Sequence, residues 1–293
     1  MKLKEILDKT TAFFKDKKID TPRLDAELLL AHGLKLERIQ LYLRFDQPMK
    51  DEELAVLREL VRRRASGEPV AYILGYRDFF NHRFEVNNQV LIPRPETEHI
   101  VEDVLAWASD KEASLGLVDL GCGSGCIGLS LLKEYPNAKL IAVDLLPGAI
   151  EVAQRNAQAL EVADRVQFLN LDAGNVEAIM SAYKDFTGLS GIDVLVSNPP
   201  YIASDDPQVE ENVKKFEPNS ALYAEDSGLA LLKGWSQAFA PYLKKPGLML
   251  MEMGMSQGPA MKQVYESLKI FNEISVIKDL SGHDRVIRGE THG

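Results

Sequence analysis

The feature that most constrains the fold of this chain is a regular alternation of short apolar runs and amphipathic stretches, which begins past Gly116. Short apolar runs bounded by turn residues are typical of buried strands. They lie at residues 117–120, 140–143, 166–169, 194–197, 248–253 and 274–277, with a last one near 286–287. The amphipathic stretches predict helices that begin at Cys126, Pro147, Val176, Gly228 and Gln257. This order predicts an α/β fold with a doubly wound, seven-stranded and mostly parallel sheet.

The N-terminal part, residues 1–75, shows helical patterns only. It predicts a small all-α bundle with helices near the N-terminus, from Thr21-Pro22 to Gly33, and at 37–43, 52–65 and 70–74. The residues expected to face inward are Leu3, Ile6, Leu7, Phe13, Phe14, Leu24, Leu28, Leu29, Leu54, Leu57, Leu60 and Val61. No catalytic constellation occurs here. The bundle is expected to recognise a partner or cover the site, and a purely stabilising role is the alternative.

Residues 76–95 are expected to link this bundle to a third segment, 96–293, that carries the sheet. The apolar period changes to two after Arg77, which predicts a β-hairpin that turns at Asn87-Asn88 and returns over 90–92. The sequence PRPETE at 93–98 then leads into a helix whose buried face carries Ile100, Val101, Val104 and Leu105. Thr97 and its neighbouring glutamates either cap that helix or, in the functional interpretation, form one wall of a cofactor pocket.

Length and composition limit the classes of function. A chain of 293 residues with 45% apolar content can bury two cores, and its net charge of −10 argues against a protein that mainly binds a phosphate backbone. Cys122 and Cys126 are the only cysteines, so no disulfide framework and no metal cluster is indicated. No signal-type or membrane-spanning run is present in the sequence. A soluble cytoplasmic protein without a metal site is expected.

A glycine-rich loop joins the first strand of the sheet to its helix. Alternating glycines let the backbone approach a ligand closely, and the helix N-terminus beyond favours an anionic group. A nucleotide-type cofactor is therefore expected at Gly121, Cys122, Gly123, Ser124 and Gly125. The glycines alone do not exclude NAD, because Gly123, Gly125 and Gly128 also match the dinucleotide pattern G-x-G-x-x-G.

Polar residues at four successive strand ends favour S-adenosylmethionine over NAD. Asp119 precedes the first glycine, where it could receive the ammonium group that NAD lacks. Asp144 is placed to bind both ribose hydroxyls in either cofactor, and Asp172 is placed to meet the amine of an adenine. Any single acid of this kind is more often a loop cap. The fourth strand end carries Asn198, and the four together predict a ligand site at this edge of the sheet.

The strand over residues 192–197 stops at Asn198, Pro199, Pro200 and Tyr201. Because prolines have no backbone N–H, this turn offers acceptors only, namely the Asn198 amide oxygen and the proline carbonyls. A planar C–NH2 group could donate one hydrogen to Asn198 and one to the Pro199 carbonyl, while the Tyr201 ring packs on its face. Its nitrogen would then face a methyl donor. A merely rigid turn is the alternative.

The glycine loop and the NPPY sequence together resemble Rossmann-like methyltransferases that act on planar or amide nitrogen. Further motifs make the chain similar to the peptide chain release factor N5-glutamine methyltransferases over nearly its whole length. These motifs lie at 93–98 (PRPETE), 25–30 (DAELLL), 67–69 (GEP) before Tyr72-Ile73, 217–218 (EP) with 221–222 (AL), and 279–282 (DLSG) with 284–286 (DRV).

The resemblance implies a class I S-adenosylmethionine-dependent methyltransferase whose substrate is the glutamine of the Gly-Gly-Gln motif in bacterial class 1 release factors. It implies that residues 121–125 and Asp144 hold the cofactor, that Asp172 or Ala173 borders the adenine, and that residues 198–201 hold the glutamine amide. The helical bundle would dock the release factor. Two departures stand out: Cys122 and Ser124 replace the family's frequent threonines, and Met253 lies where a histidine is common.

Three other functions fit parts of the sequence. A glutamine methyltransferase of a ribosomal protein shares both motifs, and an adenine N6-methyltransferase of DNA or RNA acts on another planar C–NH2. An inactive S-adenosylmethionine-binding module would leave Pro200 and Tyr201 unexplained. The acidic stretch at 204–211 disfavours a nucleic-acid substrate, since phosphates require cations.

Overall fold

The computed structural model describes residues 1–204 and 211–293, which divide into two compact units. The first unit contains Met1–Tyr76 together with the short helix Glu211–Phe216. The second contains the rest of the described chain from Arg77 onward. The segment after the NPPY turn therefore returns to the unit formed by the N-terminus, which the division predicted from sequence did not include.

The first unit is all-helical, as the sequence predicts. Its helices within the described residues are α1 Leu3–Asp16, α2 Pro22–Gly33, α3 Arg38–Leu43, α4 Asp51–Ala65, α5 Val70–Leu74 and α10 Glu211–Phe216. Leu7, Phe14, Leu29 and Leu30 are fully buried in its core. Lys215 of α10 donates its ammonium to the Ser66 carbonyl at 3.4 Å, within the same unit.

Two residues predicted to face inward in this bundle are exposed. Phe13 is 40% exposed, because it lies at the edge of the apolar stripe, where Lys17 covers its ring. Leu24 is 39% exposed, because the first turn of α2 directs its acids inward instead. Arg64 pairs with Asp25 at 2.7 Å. The ion-paired Asp25 is therefore buried, and Leu24, which the apolar periodicity predicted to be buried, faces solvent.

A two-stranded hairpin follows, and its turn is not where the sequence indicated. Strands β1 Tyr76–Phe79 and β2 His82–Glu85 are joined by Phe80 and Asn81, with φ of +43° and +63°. A two-residue turn with positive φ at both positions matches the twist of the flanking strands. The prediction that the hairpin turns at Asn87-Asn88 was therefore wrong. The chain does turn there, since the Val90 N–H donates to the Asn87 carbonyl at 3.1 Å, but this turn joins no strands. The Asn87 side chain accepts from the Gln89 N–H at 2.9 Å in a local loop, and residues 90–92 form no strand.

The seven-stranded sheet is confirmed. The strand order among the described residues is β5-β4-β3-β6-β7-β9-β8, and β9 runs antiparallel to both of its neighbours. The strands are β3 Gly116–Leu120, β4 Lys139–Asp144, β5 Val166–Asn170, β6 Ile192–Ser197, β7 Leu243–Glu252, β8 Glu273–Lys278 and β9 Asp284–Thr291. The helices of this unit are α6 Glu98–Trp107, α7 Cys126–Glu134, α8 Pro147–Ala159, α9 Val176–Thr187, α11 Ala230–Phe239 and α12 Gly258–Leu268.

Both faces of the sheet are covered, because alternate strand residues enter two separate cores. Leu117 packs with residues of α6, α7 and α8, whereas Val118 packs with residues of α9, α11 and α12. Strands buried on both faces lack polar alternation, which explains their continuous apolar runs. None of the helices in the described part of the chain combines the length and the apolar character needed to cross a bilayer.

The strand order reverses at β3, which lies between β4 and β6. Leu120 and Ser197 are the last paired residues of β3 and β6. The Ser197 hydroxyl also donates to the Leu120 carbonyl at 2.6 Å, which fixes the two strand ends side by side. Ligands of open α/β sheets bind at such a reversal, next to the carboxyl ends of the strands.

Candidate functional site

The glycine loop after β3 is held against the end of β4. The N–H groups of Gly121 and Cys122 both donate to the Val143 carbonyl at 2.9 Å. Gly121, Gly123 and Gly125 have φ of +69°, +55° and +80°, a backbone region that other residues adopt at a cost. The loop can therefore turn sharply between β3 and α7 and bring its backbone to a ligand.

Asp144, at the end of β4, bonds to both the glycine loop and the start of the segment that follows β4. Its Oδ2 accepts from the Gly123 N–H and its Oδ1 accepts from the Leu146 N–H, each at 2.9 Å. Burial raises the pKa of this carboxyl, and these N–H donors oppose that shift. Two backbone donors thus fix the orientation of this carboxylate at the end of β4.

Asp119 in β3 is nearly inaccessible, with 1% exposure. Its Oδ2 accepts from the Gly128 N–H at 3.0 Å, whereas its Oδ1 is buried without a partner in the described part of the chain. Burial raises the pKa of Asp119 to about 7. A Cβ on Gly128 would lie 2.6 Å from Leu140 Cδ2, so this glycine serves close helix–strand packing. An unsatisfied buried carboxylate oxygen is suited to a cationic ligand group.

A cavity of about 200 Å³ lies over these strand ends. Residues 87–93 contribute Gln89, Val90 and Pro93 to its wall, and α11 contributes Trp235. The predicted site residues that line it are Gly121, Cys122, Gly123, Ser124, Asp144, Asp172, Ala173, Asn198 and Pro200. Asp119, Gly125, Pro199 and Tyr201 are not among the described lining residues. Asp172 also caps its own loop, since its Oδ1 accepts from the Gly174 N–H at 2.7 Å.

The NPPY turn lies at the end of β6 and is tied to two other segments. Asn198 donates from Nδ2 to Thr97 Oγ1 at 3.2 Å, and its Oδ1 is buried without a partner among the described residues. Pro199 is buried. The Tyr201 hydroxyl donates to Glu252 Oε1 at 3.1 Å. Burial, and then the charge of Glu252, raises the pKa of Tyr201, so its hydroxyl keeps its proton.

Thr97 and Glu252 form a buried hydrogen bond beside the NPPY turn that the sequence did not predict. The Thr97 hydroxyl donates to Glu252 Oε2 at 2.5 Å, and both side chains are buried. Thr97 lines the cavity and makes no side-chain capping bond to α6, which agrees with the pocket-wall interpretation of residues 93–98. One signal was available for Glu252: it is a lone acid at the carboxyl end of an apolar strand. The neighbouring Met253 is fully buried in the core of the sheet.

Gln257 supports the NPPY turn from behind. Its side-chain amide donates to the carbonyls of Tyr201 at 3.0 Å and Ser227 at 3.1 Å. Its Oε1 accepts from the Gly254 N–H at 2.8 Å. Every polar atom of this amide is therefore used, and together its bonds join Gly254 after β7, the turn at residues 226–228 and the carbonyl of Tyr201.

Glu217 anchors a further part of the cavity wall. It accepts from the Ile92 N–H at 3.1 Å and from Arg94 Nη2 at 2.5 Å, and its side chain is buried. Ser220 and Ala221, just beyond it, line the cavity. The acidic stretch predicted at 204–211 lies mostly outside the described residues, since 205–210 fall in the gap. Glu211, its last member, is exposed.

Comparisons with known proteins cover nearly the whole chain. Residues 5–75 match the family described as the PrmC N-terminal domain, and residues 111–275 match the family described as a methyltransferase domain. The release factor glutamine methyltransferase of Chlorobaculum tepidum is 38% identical over 286 residues, which cover 96% of this chain and 94% of that relative. The enzyme of the same name from Rhodopirellula baltica is 36% identical over 290 residues, with 96% and 94% covered.

A solved structure shares the fold. The crystal structure of the hMettl16 catalytic domain, in complex with a 3′UTR hairpin, superposes with a TM-score of 0.55 over 83% of each chain. The sequences are 13% identical, so this likeness concerns the arrangement of strands and helices alone.

Proposed function

Because this chain belongs to the release factor glutamine methyltransferase family, we propose that its cavity holds S-adenosylmethionine beside the side-chain amide of a release-factor glutamine. The enzyme is an S-adenosylmethionine-dependent protein-glutamine methyltransferase. The methyl group is transferred to the amide nitrogen, N5, of the glutamine in the Gly-Gly-Gln motif of class 1 release factors. The donor is held at the end of β3 and the acceptor at the end of β6.

The residues around the cavity fit this cofactor. Asp119 does not line the cavity itself, but its buried, unpartnered Oδ1 suits the ammonium of the methionyl group, reached through water. Asp144 is oriented to accept from the ribose hydroxyls, and apolar side chains such as Ile127, Leu171 and Ala173 line the cavity, where a planar base can pack. When bound, S-adenosylmethionine supplies an electrophilic methyl group on sulfur.

The acceptor side is built for an N–H donor. An amide nitrogen is a poor nucleophile, because its lone pair is delocalised into the carbonyl. The Asn198 oxygen and the Pro199 carbonyl would accept its two hydrogens, favour a pyramidal nitrogen and stabilise the positive charge that develops on it. The buried, unpartnered Asn198 Oδ1 is the observation that carries this assignment. In such a transfer the nitrogen gains the methyl group as the S–CH3 bond breaks, S-adenosylhomocysteine leaves, and the methylated nitrogen releases one proton to water. It requires no side-chain general base, no covalent intermediate and no metal ion.

We also propose that the first unit recognises the release factor. Three apolar side chains of α3 are exposed, namely Ile39 at 69%, Tyr42 at 45% and Leu43 at 82%. Their spacing places them on one face of the helix, where water contact is unfavourable unless a partner covers them. The two unpaired, buried cysteines, Cys122 and Cys126, support action in the reducing cytoplasm.

A nucleic-acid substrate is the second candidate, because the amino group of adenine is also a planar C–NH2. The net charge of −10 disfavours it, since each phosphate contact needs a cation. A labelled-methyl assay would compare purified release factor, its Gln→Ala variant at the Gly-Gly-Gln motif, a ribosomal protein mixture, duplex DNA and ribosomal RNA. We expect label on the release factor only, with mass spectrometry placing it on N5. Label on adenine, or undiminished label on the variant, would refute the proposal.

A further inference from the structure

The amide of Asn198 can be placed in two ways that differ only by exchanging oxygen and nitrogen. The two orientations have nearly the same shape, so packing alone does not choose between them. Only one of them leaves an acceptor for a substrate N–H. The proposed chemistry at this turn therefore depends on whatever fixes the orientation.

The neighbouring hydrogen bonds determine this choice. Glu252 lies 2% exposed at the end of β7, and its carboxylate accepts from the hydroxyls of Thr97 and Tyr201. A threonine hydroxyl has one hydrogen, and that of Thr97 is given to Glu252 Oε2 at 2.5 Å. The Thr97 oxygen can then only accept, which it does from Asn198 Nδ2 at 3.2 Å.

The reverse orientation would place the Asn198 oxygen against the Thr97 oxygen with no hydrogen between them. Two facing acceptors repel each other, and burial increases the cost of leaving both unpaired. In the observed orientation the oxygen is the atom left without a partner in the described residues. Burial raises the pKa of Glu252, and the hydroxyls of Thr97 and Tyr201 that donate to it oppose that shift. The order Glu252, Thr97, Asn198 thus uses a buried hydrogen-bond acceptor to fix the direction of a neutral amide.

We propose that Thr97 and Glu252 are positioning residues that hold the Asn198 amide with its oxygen free for the substrate amide. This inference rests on the proposed function, because it takes Asn198 as the residue that holds the acceptor nitrogen. Neither side chain needs to touch the reacting atoms. Their contribution is to prevent Asn198 from presenting an N–H donor, which would repel the substrate amino group.

The test compares three Thr97 variants, two in the wild-type enzyme and one in an Asn198→Ala background, and measures turnover on release factor at saturating S-adenosylmethionine. Thr97→Val keeps the side-chain shape and removes the hydroxyl, so turnover should fall roughly tenfold, the equivalent of one net hydrogen bond. Thr97→Ser keeps the hydroxyl and should stay within about twofold of wild type. In an Asn198→Ala background, Thr97→Val should change turnover by less than about twofold, because the amide it positions is gone.

A matched control separates this role from the general loss of a buried hydroxyl. Thr291 is 1% exposed and its hydroxyl donates to the Lys244 carbonyl at 2.5 Å, in β9 and away from the described lining residues. Thr291→Val should leave turnover unchanged. Cofactor binding and thermal melting of each variant report whether it folds.

Three results would overturn the inference: wild-type turnover in Thr97→Val, no recovery in Thr97→Ser, or an undiminished effect of Thr97→Val in the Asn198→Ala background. If the wild-type enzyme does not methylate release factor, the proposed function itself is wrong. The two failures are therefore distinguishable within one set of assays.

Discussion

Gly228 and Tyr201 meet backbone to backbone: a Cβ on Gly228 would lie 2.0 Å from the Tyr201 carbonyl oxygen. Gly228 also has φ of +82°, and it follows Asp226 and Ser227, which both have φ of +55°. A side chain at this position would have to displace the NPPY turn, since neither partner is a flexible side chain.

Gly228→Ala should therefore lower turnover strongly, by about tenfold or more, because a small displacement of a positioning group is costly for catalysis. Gly234→Ala is the matched control. Beyond the adjoining backbone of α11 itself, a Cβ added to Gly234 would meet no atom of the described residues within 4 Å, so alanine should stabilise the helix by about 0.5–1 kcal/mol. Melting temperature and turnover of both variants would be compared. Normal turnover in Gly228→Ala would show that the turn tolerates the shift.

Asn198→Ala should reduce turnover by about a hundredfold or more, as does loss of one donor from an oxyanion hole. Its acceptor matters mainly when charge develops on the substrate nitrogen, so the affinity for S-adenosylmethionine should change less. Single-turnover rates and calorimetry on the same preparation separate these quantities. Turnover near the wild-type value would contradict the amide-holding role.

S-adenosylmethionine binding should weaken as the pH falls below about 7. Burial raises the pKa of Asp119 from 3.8 to about 7, so its carboxylate is protonated below that pH and no longer attracts an ammonium. The same shift implies that this group makes the cofactor-free protein less stable as the pH rises from the ordinary carboxylate range towards 7. Asp119→Asn should lose both pH dependences.

Calorimetric titrations and thermal melts between about pH 5 and 8 would compare cofactor affinity and stability in wild type and Asp119→Asn. Any protonation of S-adenosylmethionine itself affects both proteins equally, so a difference between their pH profiles reports on Asp119. Identical pH profiles would show that Asp119 does not receive the ammonium.

Leu43→Glu should raise the KM for release factor while leaving cofactor affinity and melting temperature near the wild-type values. Leu43 is 82% exposed, so a charge there disturbs no core contact but opposes association with an apolar partner surface. Val56→Glu, on α4 of the same unit, is a control, since Val56 is 48% exposed. Equal effects of both substitutions would argue against α3 as the recognised face.

The sheet and most helices could be predicted because their signals are local. Periods of two and 3.6, a proline at the start of α2 and the glycines after β3 are visible within a few residues. The hairpin turn was missed, because Asn87-Asn88 looks more like a turn than Phe80-Asn81. The positive φ of Phe80 follows from pairing of the strands around it, which a local pattern does not contain.

Residues at a strand end could be singled out from the sequence, and of these Asp144 and Asn198 line the cavity. Asp119 lies within β3 and is not among the lining residues described. Thr97 was singled out as a possible pocket wall, but its contact with Glu252 was missed, because the two residues meet across 155 positions of sequence and form no recognisable motif together. The role of this contact depends on the direction of its hydrogen bonds, in which the Thr97 hydroxyl donates to Glu252 and accepts from Asn198. The direction can be read only from a structure in which all three side chains are placed.

The pairing of β3 with β6 determines which sequence changes would keep the glycine loop and the NPPY turn side by side. Leu120 pairs with Ser197, so Gly121 and Asn198 leave adjacent strands one residue after the last pair. Neighbouring strands lie about 4.8 Å apart, so under the proposed function this backbone spacing sets the donor half, residues 121–125, beside the acceptor half, residues 198–201. Substitutions within the NPPY turn would then change the contacts to the methylated group while the donor half stays in place. Inserting one residue into β6 would instead turn Asn198 to the opposite face of the sheet and separate the two halves.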